Sequence, residues 1–470
     1  MRTSRSLPLS DGAVGSDGDR YAAHARAVDA LRGAYAGVAA GAPVRLAKRT
    51  SNLFRFRAPG GGPGLDVRRF DQVLSVDPAA RTADVQGMVT YERLVDATLR
   101  HGLMPLVVPQ LKTITLGGAV AGLGIESSSF RNGMPHESVR ELEVLTGDGR
   151  VVVARADNEH ADLFRGFPNS YGTLGYALRL TIDLEPVRPY VRLRHLRFGT
   201  AAECLAELAA VCTAASYAGE PVDFVDGTVF GPDEQYLTLG SFVDEAPAVS
   251  DYTGMAVYYR SIREREVDHL TVRDYLWRWD TDWFWCSEAF GLQVPWVRRL
   301  WPRRYRRSDV YRRLVALDRR YRLSASVARL RGRPEEAVVQ DVELPVGRTA
   351  EFLDLFHREV GITPVWLCPL RLRSSTAWPL YPLEPDALYV NVGFWSSVPL
   401  RPGQPDGFHN RLVEDAVTAL GGHKSLYSTV HYPAEEFWRR YNGAAYGALK
   451  GAYDPAGRLP DLYDKCVRLA

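Results

Sequence analysis

A run of small residues with four glycines, from Thr115 to Ser129, constrains this 470-residue sequence more than any other stretch. Glycine reaches positive φ and lets a ligand approach the backbone closely, and successive amides in such a turn can bind anionic oxygens. The run carries one charged side chain, Glu126, and no proline. A tight turn between packed elements would need the same residues, so the run alone leaves a ligand-binding loop and a structural turn equally open.

Composition and cysteine usage exclude several classes of protein. The sequence is 46% hydrophobic and 24% charged, as in ordinary globular proteins. Its five cysteines are widely spaced, which argues against a zinc site or a disulfide framework and favours a reducing, cytoplasmic setting. We predict no metal site. The polar residues 1–20 are interpreted as a disordered leader, and no apolar run of about 18 residues predicts a spanning helix.

Hydrophobic periodicity predicts an α+β fold with a domain boundary at Pro186 and Pro189. The predicted helices include 21–38, 90–101, 201–216 and 349–360, and the predicted strands include 72–76, 82–85, 139–145, 150–154, 177–184 and 339–344. The glycine- and proline-rich residues 58–64 are interpreted as a surface hairpin, with a phosphate-binding loop as the alternative. We divide the chain into domains at 21–187 and 188–430 and a C-terminal segment at 431–470.

Arginine and aromatic residues dominate residues 258–333, and most strongly 291–333. Two interpretations remain open. The segment is either a solvated helix pair whose arginine stems cover apolar surface, or an interfacial surface, with Trp296 and Trp301 among the arginines, that meets anionic lipid headgroups. Nucleic-acid binding is not expected, because no recognised binding motif accompanies the charge.

The stretch Val108 to Met134 resembles the second flavin-contacting segment of the vanillyl-alcohol-oxidase-type (PCMH-type) FAD fold. In that fold a glycine-rich loop wraps the FAD pyrophosphate and runs beside the isoalloxazine. The resemblance implies a two-part PCMH-type FAD-binding domain at 21–187 and an α+β substrate (cap) domain at 188–430. It also implies that residues 431–470 return to the FAD domain. Many oxidases of that fold hold FAD covalently through a histidine in the first phosphate-binding turn. The equivalent turn here, from Lys48 to Asn52, has no histidine, so the FAD is expected to be non-covalent.

The same resemblance implies a set of residues that contact FAD. Most belong to the glycine-rich run and its flanks, and the rest to a second glycine motif at residues 172–176. They are Pro109, Thr115, Leu116, Gly117, Gly118, Gly122, Gly124, Ile125, Glu126, Ser127, Ser128, Gly172, Gly175 and Tyr176.

Residues 124–129, 364–369, 435–438 and 462–465 resemble the delta-24 sterol reductase branch of that fold. Residues 48–56 and 109–129 are more similar still to bacterial reductases of methylene-branched fatty acyl chains, the enzymes of 10-methylstearic acid synthesis. This resemblance implies an NADPH-fed, FAD-dependent reductase that converts a 10-methylene acyl chain of a phospholipid to the 10-methyl chain. A lipid methyltransferase would act in the preceding step, and the protein would be cytoplasmic and peripheral on the inner face of the membrane.

Two departures separate this sequence from the sterol branch. It shows no apolar run like the N-terminal membrane segment of the sterol enzymes, and His431 stands where that branch is expected to have an uncharged residue. A delta-24 sterol-type reductase and an FAD-dependent oxidase using O₂ remain the alternatives.

Reduction of an isolated double bond needs a proton donor beside the substrate, with water excluded. The candidates are Glu126, Tyr389, Tyr427, His431 and Tyr446, and we predict that Glu126, Tyr427, His431 and Tyr446 are catalytic. Glu126 is either a proton donor with a pKa raised by burial or an acceptor for loop amides. The tyrosines are either donors or core residues with satisfied hydroxyls. Two lysines near the C-terminus, Lys450 and Lys465, are either phosphate contacts or ordinary surface residues.

Overall fold

Two antiparallel sheets organise the chain in a computed structural model that describes residues 16–48, 64–321 and 334–467. The first sheet has six strands in the order β1-β2-β6-β4-β5, with β3 paired to β6. These strands are β1 Val73–Asp77, β2 Thr82–Gln86, β3 Leu103–Pro105, β4 Val139–Thr146, β5 Val151–Ala154 and β6 Gly175–Pro186.

The second sheet has eight strands in the order β12-β7-β11-β10-β14-β15-β13-β16. Its strands are β7 Tyr190–Phe198, β10 Phe224–Gly231, β11 Glu234–Val243, β12 Val267–Thr271, β13 Glu335–Pro345, β14 Val365–Leu370, β15 Tyr389–Pro399 and β16 His423–Lys424. A separate short hairpin consists of β8 Ser216–Tyr217 and β9 Glu220–Pro221. The long strands β13 and β15 pair from Glu335 opposite Pro399 to Pro345 opposite Tyr389.

Helices connect and cover the strands. They are α1 Asp17–Ala36, α2 Tyr91–Thr98, α3 Leu116–Gly122, α4 Ser129–Asn132, α5 Ala161–Gly166, α6 Ala201–Ala214, α7 Tyr258–Ser261, α8 Val272–Leu276, α9 Pro295–Leu300, α10 Ser308–Tyr321, α11 Val346–Glu359, α12 Phe408–Ala419, α13 Ala434–Arg440, α14 Gly443–Tyr453 and α15 Leu462–Cys466. Within the described ranges, no helix has both the length and the apolar character needed to cross a membrane.

Local signals place several of these elements where the sequence predicts them. Thr90 caps α2 by accepting a hydrogen bond from the amide of Arg93, and Gly102 ends the following turn in the left-handed conformation. The hairpin of β4 and β5 also agrees with the prediction. Helix α1 begins at Asp17 and not at Tyr21, because Ser16 forms a capping box with Asp19. The leader prediction is therefore wrong for residues 17–20, and residues 1–15 lie outside the described part.

The second sheet presents two different faces. Along β13 the side chains of Val338 and Val342 enter a hydrophobic cluster with helices α6, α11 and α12. Val339 and Asp341, one position out of phase, face a large cavity on the other side. This alternation follows from the two-residue period of a strand, and it directs selected side chains of the sheet into one site.

A continuous hydrophobic core joins the two sheets. It includes Val85 and Leu180 of the first sheet and Leu193 and Trp366 of the second. The chain passes from one sheet to the other between β6 and β7, at the predicted boundary. The mixed helices and antiparallel sheets make the protein α+β, as predicted; its division into two domains stays a prediction.

Candidate functional site

A cavity of ≈ 970 Å³ lies between the two sheets. This volume is at the upper end of the range for organic-ligand sites. The first sheet contributes β6 to its wall, the second sheet contributes β13, β14 and β15, and the glycine-rich run from Thr115 onward closes one side. The fold therefore brings the run to a single site with residues more than 200 positions away.

One wall of the cavity is bare backbone. A Cβ on Gly117 would lie 2.8 Å from the carbonyl oxygen of Gly87, and a Cβ on Gly87 would lie 2.1 Å from that of Ala177. All three residues line the cavity. Three chain segments can pack this closely only because two of them lack side chains at the contact. The wall therefore lets a ligand approach the backbone closely, although the amides of Gly87 and Gly117 already donate to the carbonyls of Leu178 and Gly87.

Helix α3 occupies the middle of the glycine-rich run. Thr115 caps this helix by accepting a hydrogen bond from the amide of Gly118 at 3.3 Å. The helix ends at Leu123, whose φ is +68°. The predicted loop is thus a short helix followed by a turn, because the run carries helix-compatible alanine, valine and leucine between its glycines.

Most of the predicted FAD contacts line the cavity. They are Pro109, Thr115, Gly117, Gly118, Gly122, Gly124, Ile125, Glu126, Gly172, Gly175 and Tyr176. The other three do not line it. Leu116 is buried in the hydrophobic core, the Ser127 hydroxyl lies 2.8 Å from the Tyr275 hydroxyl, and the Ser128 hydroxyl donates to the carbonyl of Leu106 at 2.8 Å.

Glu126 is buried at the edge of the cavity and receives three hydrogen bonds. The amide of Gln110 donates to one carboxyl oxygen at 3.1 Å, and the Gln110 side-chain amide and the Ser127 amide donate to the other at 2.7 and 3.2 Å. Burial nevertheless raises the pKa of Glu126 to about 8, although Arg278 and these donors lower it. Glu126 thus ties the loop and is also an acid that faces the cavity.

A second acid, Asp341, faces the same cavity from β13. Burial raises its pKa to about 7, against the neighbouring Asn391 amide and Tyr427 hydroxyl, which lower it. The Trp395 indole N–H donates to the Tyr427 hydroxyl at 2.8 Å, and burial raises the Tyr427 pKa well above its usual value. Asp341, Asn391, Trp395 and Tyr427 all line the cavity, so the predicted residue Tyr427 stands in a hydrogen-bonded chain that ends on a carboxyl.

The sequence prediction missed Asp341. A signal was present, because Asp341 is the acid at the centre of the predicted strand 339–344 and alternates in phase with Val339. Glu343 shares this face of the strand, and two acids on one face of a predicted strand are candidates for buried functional groups. Its partners Asn391 and Trp395 lie more than 45 positions away, so only the pairing of β13 with β15 brings them to it.

Aromatic side chains form the wall opposite the glycines. Trp283, Phe284, Trp366 and Trp395 line the cavity. The ring centroids of Phe284 and Trp395 lie 4.5 Å apart, and those of Phe284 and Trp366 5.5 Å. This part of the cavity is therefore suited to an apolar ligand.

Three other predicted acids lie elsewhere and are withdrawn as catalytic candidates. The Tyr446 hydroxyl accepts the amide of Leu462 at 3.0 Å, and its ring stacks on Trp438. The backbone amide of His431 donates to the Glu414 carboxylate, and the Tyr389 hydroxyl accepts the amide of Glu384. None of the three is among the described residues that line the cavity.

Cationic side chains stand at the same cavity. Arg45, Lys48 and Lys465 line it, and the Lys465 ammonium donates to the backbone carbonyl of Tyr171. Lys450 does not line it; its ammonium donates to the carbonyls of Thr173 and Leu459, both at 2.9 Å. Of the predicted first phosphate turn, residues 49–52 lie outside the described part of the chain, as do residues 58–63 of the predicted surface hairpin.

Backbone, cations and an aromatic wall around one cavity define a protein that holds a large, partly anionic organic ligand beside an apolar one. FAD fits the first position. The glycine wall would lie against the cofactor, and Arg45, Lys48 and Lys465 would face its phosphates. When bound, FAD supplies two-electron redox chemistry.

Comparison with known proteins gives the same cofactor. The FAD binding domain family matches residues 22–155. The chain is 25% identical to the Delta(24)-sterol reductase homolog dhcr-24 of Caenorhabditis elegans over 84% of this chain and 77% of the relative. It is also 25% identical to the human Delta(24)-sterol reductase, over 85% and 76%. The decaprenylphosphoryl-beta-D-ribose oxidase of Mycolicibacterium smegmatis is 33% identical over 27% of this chain and 28% of its own. The chain is an FAD-dependent oxidoreductase.

Proposed function

We propose that this oxidoreductase reduces a carbon–carbon double bond in a lipid, with NADPH as the electron donor. Its substrate is the 10-methylene fatty acyl chain of a phospholipid, and its product is the 10-methyl chain. The observation that supports the proposal is the pairing of two raised-pKa carboxyls, Glu126 and Asp341, with an aromatic wall in one cavity.

The reaction adds a hydride to one alkene carbon and a proton to the other, and it consumes one NADPH and one proton from solution. An isolated alkene needs an acid held against it, because water is a poor proton donor and is excluded from an apolar site. A carboxyl whose pKa is near 7 or 8 is protonated for much of the time at neutral pH. Glu126 and Asp341 therefore both meet the chemical requirement.

Asp341 is the stronger candidate for the proton donor. Both carboxyl oxygens of Glu126 already accept hydrogen bonds from N–H groups. A proton on Glu126 therefore competes with three donors for these oxygens. Asp341 lines the cavity together with Val339 and the aromatic residues, and Tyr427 provides a hydrogen-bonded connection beside it. In this assignment Asp341 donates the proton, Tyr427 orients its carboxyl, and Glu126 holds the loop.

The relatives support two alternatives. The relatives named Delta(24)-sterol reductases align with more than four-fifths of the chain, which favours a sterol side chain as the second candidate substrate. The relative named an oxidase aligns with 128 residues, and the two-electron chemistry of FAD also serves that activity.

Two experiments test the proposal. Anaerobic mixing of the FAD-loaded protein with NADPH is expected to bleach the absorbance of oxidised flavin; bleaching by lipid alone, followed by reoxidation with O₂, would support an oxidase. The lipids of a strain lacking the gene are then compared by mass spectrometry. Accumulation of methylene-branched acyl chains supports the proposal, and an unchanged fatty acyl profile contradicts it.

A further inference from the structure

An exposed apolar patch lies on the arginine- and aromatic-rich segment. Helix α9 presents Trp296 and Leu300, four residues apart and so on one face, with exposed fractions of 68% and 76%. Met255, Val294 and Tyr305 are also exposed large hydrophobic residues. The loop of Met255 adjoins α9, because the buried guanidinium of Arg298 donates to the carbonyls of Gly254 and Ala256. We call these five hydrophobic residues the Trp296 patch.

The structure separates the arginines of this segment into two groups. Arg298 and Arg306 are buried; the first pairs with Asp282 at 2.7 Å, and the second donates to backbone carbonyls of residues 253 and 301. Arg307 pairs with Glu92 at 2.8 Å. These three hold the fold and are not available to a partner, so neither interpretation of the segment describes them.

A second group surrounds the patch. Arg299 and Arg304 are exposed, and neither forms an ion pair with a residue in the described ranges. The Arg304 guanidinium lies over the Tyr305 ring at 4.8 Å. Exposed tryptophan and leucine flanked by unpaired arginine are complementary to the boundary between acyl chains and anionic headgroups.

The patch is continuous in sequence with the cavity wall. Phe284, Cys286 and Phe290 line the cavity, and Val294 of the patch follows Phe290 by four residues. Four residues of chain span at most about 14 Å. Val294, at one end of the patch, therefore lies within about 14 Å of a residue that lines the cavity.

We propose that the Trp296 patch, with Arg299 and Arg304, docks the protein on an anionic lipid bilayer and places the cavity beside its lipid substrate. This inference builds on the proposed lipid substrate but does not depend on turnover. The occupant is the membrane surface itself, because the patch combines exposed apolar side chains with positive charge and has no acidic residue among its seven members.

The test is co-sedimentation of the FAD-loaded full chain with vesicles. One set contains about equal parts of phosphatidylglycerol and phosphatidylcholine, and the other contains phosphatidylcholine alone. The variants are Trp296→Ser/Leu300→Ser and Arg299→Gln/Arg304→Gln. A matched control, Arg32→Gln/Arg197→Gln, removes two exposed arginines far along the chain from the patch.

The wild type and the control are expected to bind the anionic vesicles. Apparent affinity falls about tenfold or more in the serine variant and severalfold in the glutamine variant. Bound FAD stays unchanged in every variant, which shows that each one folds. Unchanged vesicle binding by the serine variant overturns the proposal. The proposal is also overturned if the wild type does not bind vesicles and instead forms a dimer that the serine substitutions dissociate. The patch would then be a protein interface.

The two proposals fail separately. The patch variants are expected to lose vesicle binding. Their flavin should still be reduced by NADPH, and they should still turn over detergent-dispersed lipid. Vesicle binding by a protein that reduces no lipid double bond contradicts the proposed function and leaves the docking surface standing.

Discussion

Replacing Glu126 with glutamine tests whether this buried side chain is a neutral acid in the folded protein. Burial raises its pKa from 4.5 to about 8. Each pKa unit corresponds to about 1.4 kcal/mol, so ionising Glu126 in the folded state costs an upper limit of about 5 kcal/mol. Glutamine has nearly the same shape and never ionises, so it removes this pH-dependent cost.

The sign follows from the direction of the pKa change. The folded protein binds the Glu126 proton more tightly than the unfolded chain does, so this group stabilises the fold fully below about pH 4.5. That contribution is lost as the pH rises through about 8. Glutamine also places an N–H where a carboxyl oxygen accepts hydrogen bonds from Gln110 and Ser127, which costs about 1–3 kcal/mol at every pH.

Glu126→Gln is therefore expected to be less stable than the wild type near about pH 5, and equally or more stable near about pH 9. The measurement is denaturant unfolding of the FAD-loaded protein across this pH range. Glu245→Gln, an exposed loop substitution, is the matched control and should follow the wild type. The buried-acid argument for Glu126 is refuted if the difference in unfolding free energy between wild type and variant stays constant with pH. It is also refuted if the wild type's advantage becomes smaller as the pH falls.

Three further predictions concern the cavity and its support. Asp341→Asn should lower turnover about 10²- to 10⁴-fold, the usual contribution of a general acid, while FAD content, read from its absorbance, is unchanged. Wild-type turnover should fall above about pH 7, where Asp341 loses its proton. Gly117→Ala would bring a Cβ to 2.8 Å from a backbone carbonyl and should abolish stable FAD binding, whereas Gly447→Ala, which meets nothing within 4 Å, should bind FAD normally. Arg278→Met leaves the buried Asp226 carboxylate, now 2.8 Å from Arg278, without its cation, and should lower the free energy of unfolding by about 3–5 kcal/mol; an unchanged denaturation midpoint would contradict this.

Local chemistry made several elements predictable from sequence. Thr90 and Gly102 mark the ends of one helical segment because capping and left-handed glycine act within a few residues. The strand at 339–344 follows from its alternation. Helix α1 shows the limit of the same reasoning, since its capping box begins at Ser16, five residues before the predicted helix start at Tyr21.

The candidate site was half predictable. Gly117, Gly118 and Glu126 share one short run, so their resemblance to a flavin-binding segment is visible in a single stretch. Tyr446 and His431 were proposed as proton donors from the sequence and lie away from the cavity, because a sequence does not show which way a side chain faces. Asp341 was missed for the converse reason, since its importance comes from neighbours on another strand.

The sequence by itself determined the position of the glycine-rich run, the α+β class and the boundaries of several elements, because these depend on interactions between residues close along the chain. Only the tertiary structure decided which acids share a cavity and which arginines remain at the surface. Burial, pKa and exposure are set by contacts between distant segments, as where β13 pairs with β15 and where Arg298 meets Asp282. The glycine run is therefore visible in the sequence as a motif, whereas the cavity that Glu126 and Asp341 share and the Trp296 patch exist only in the folded chain.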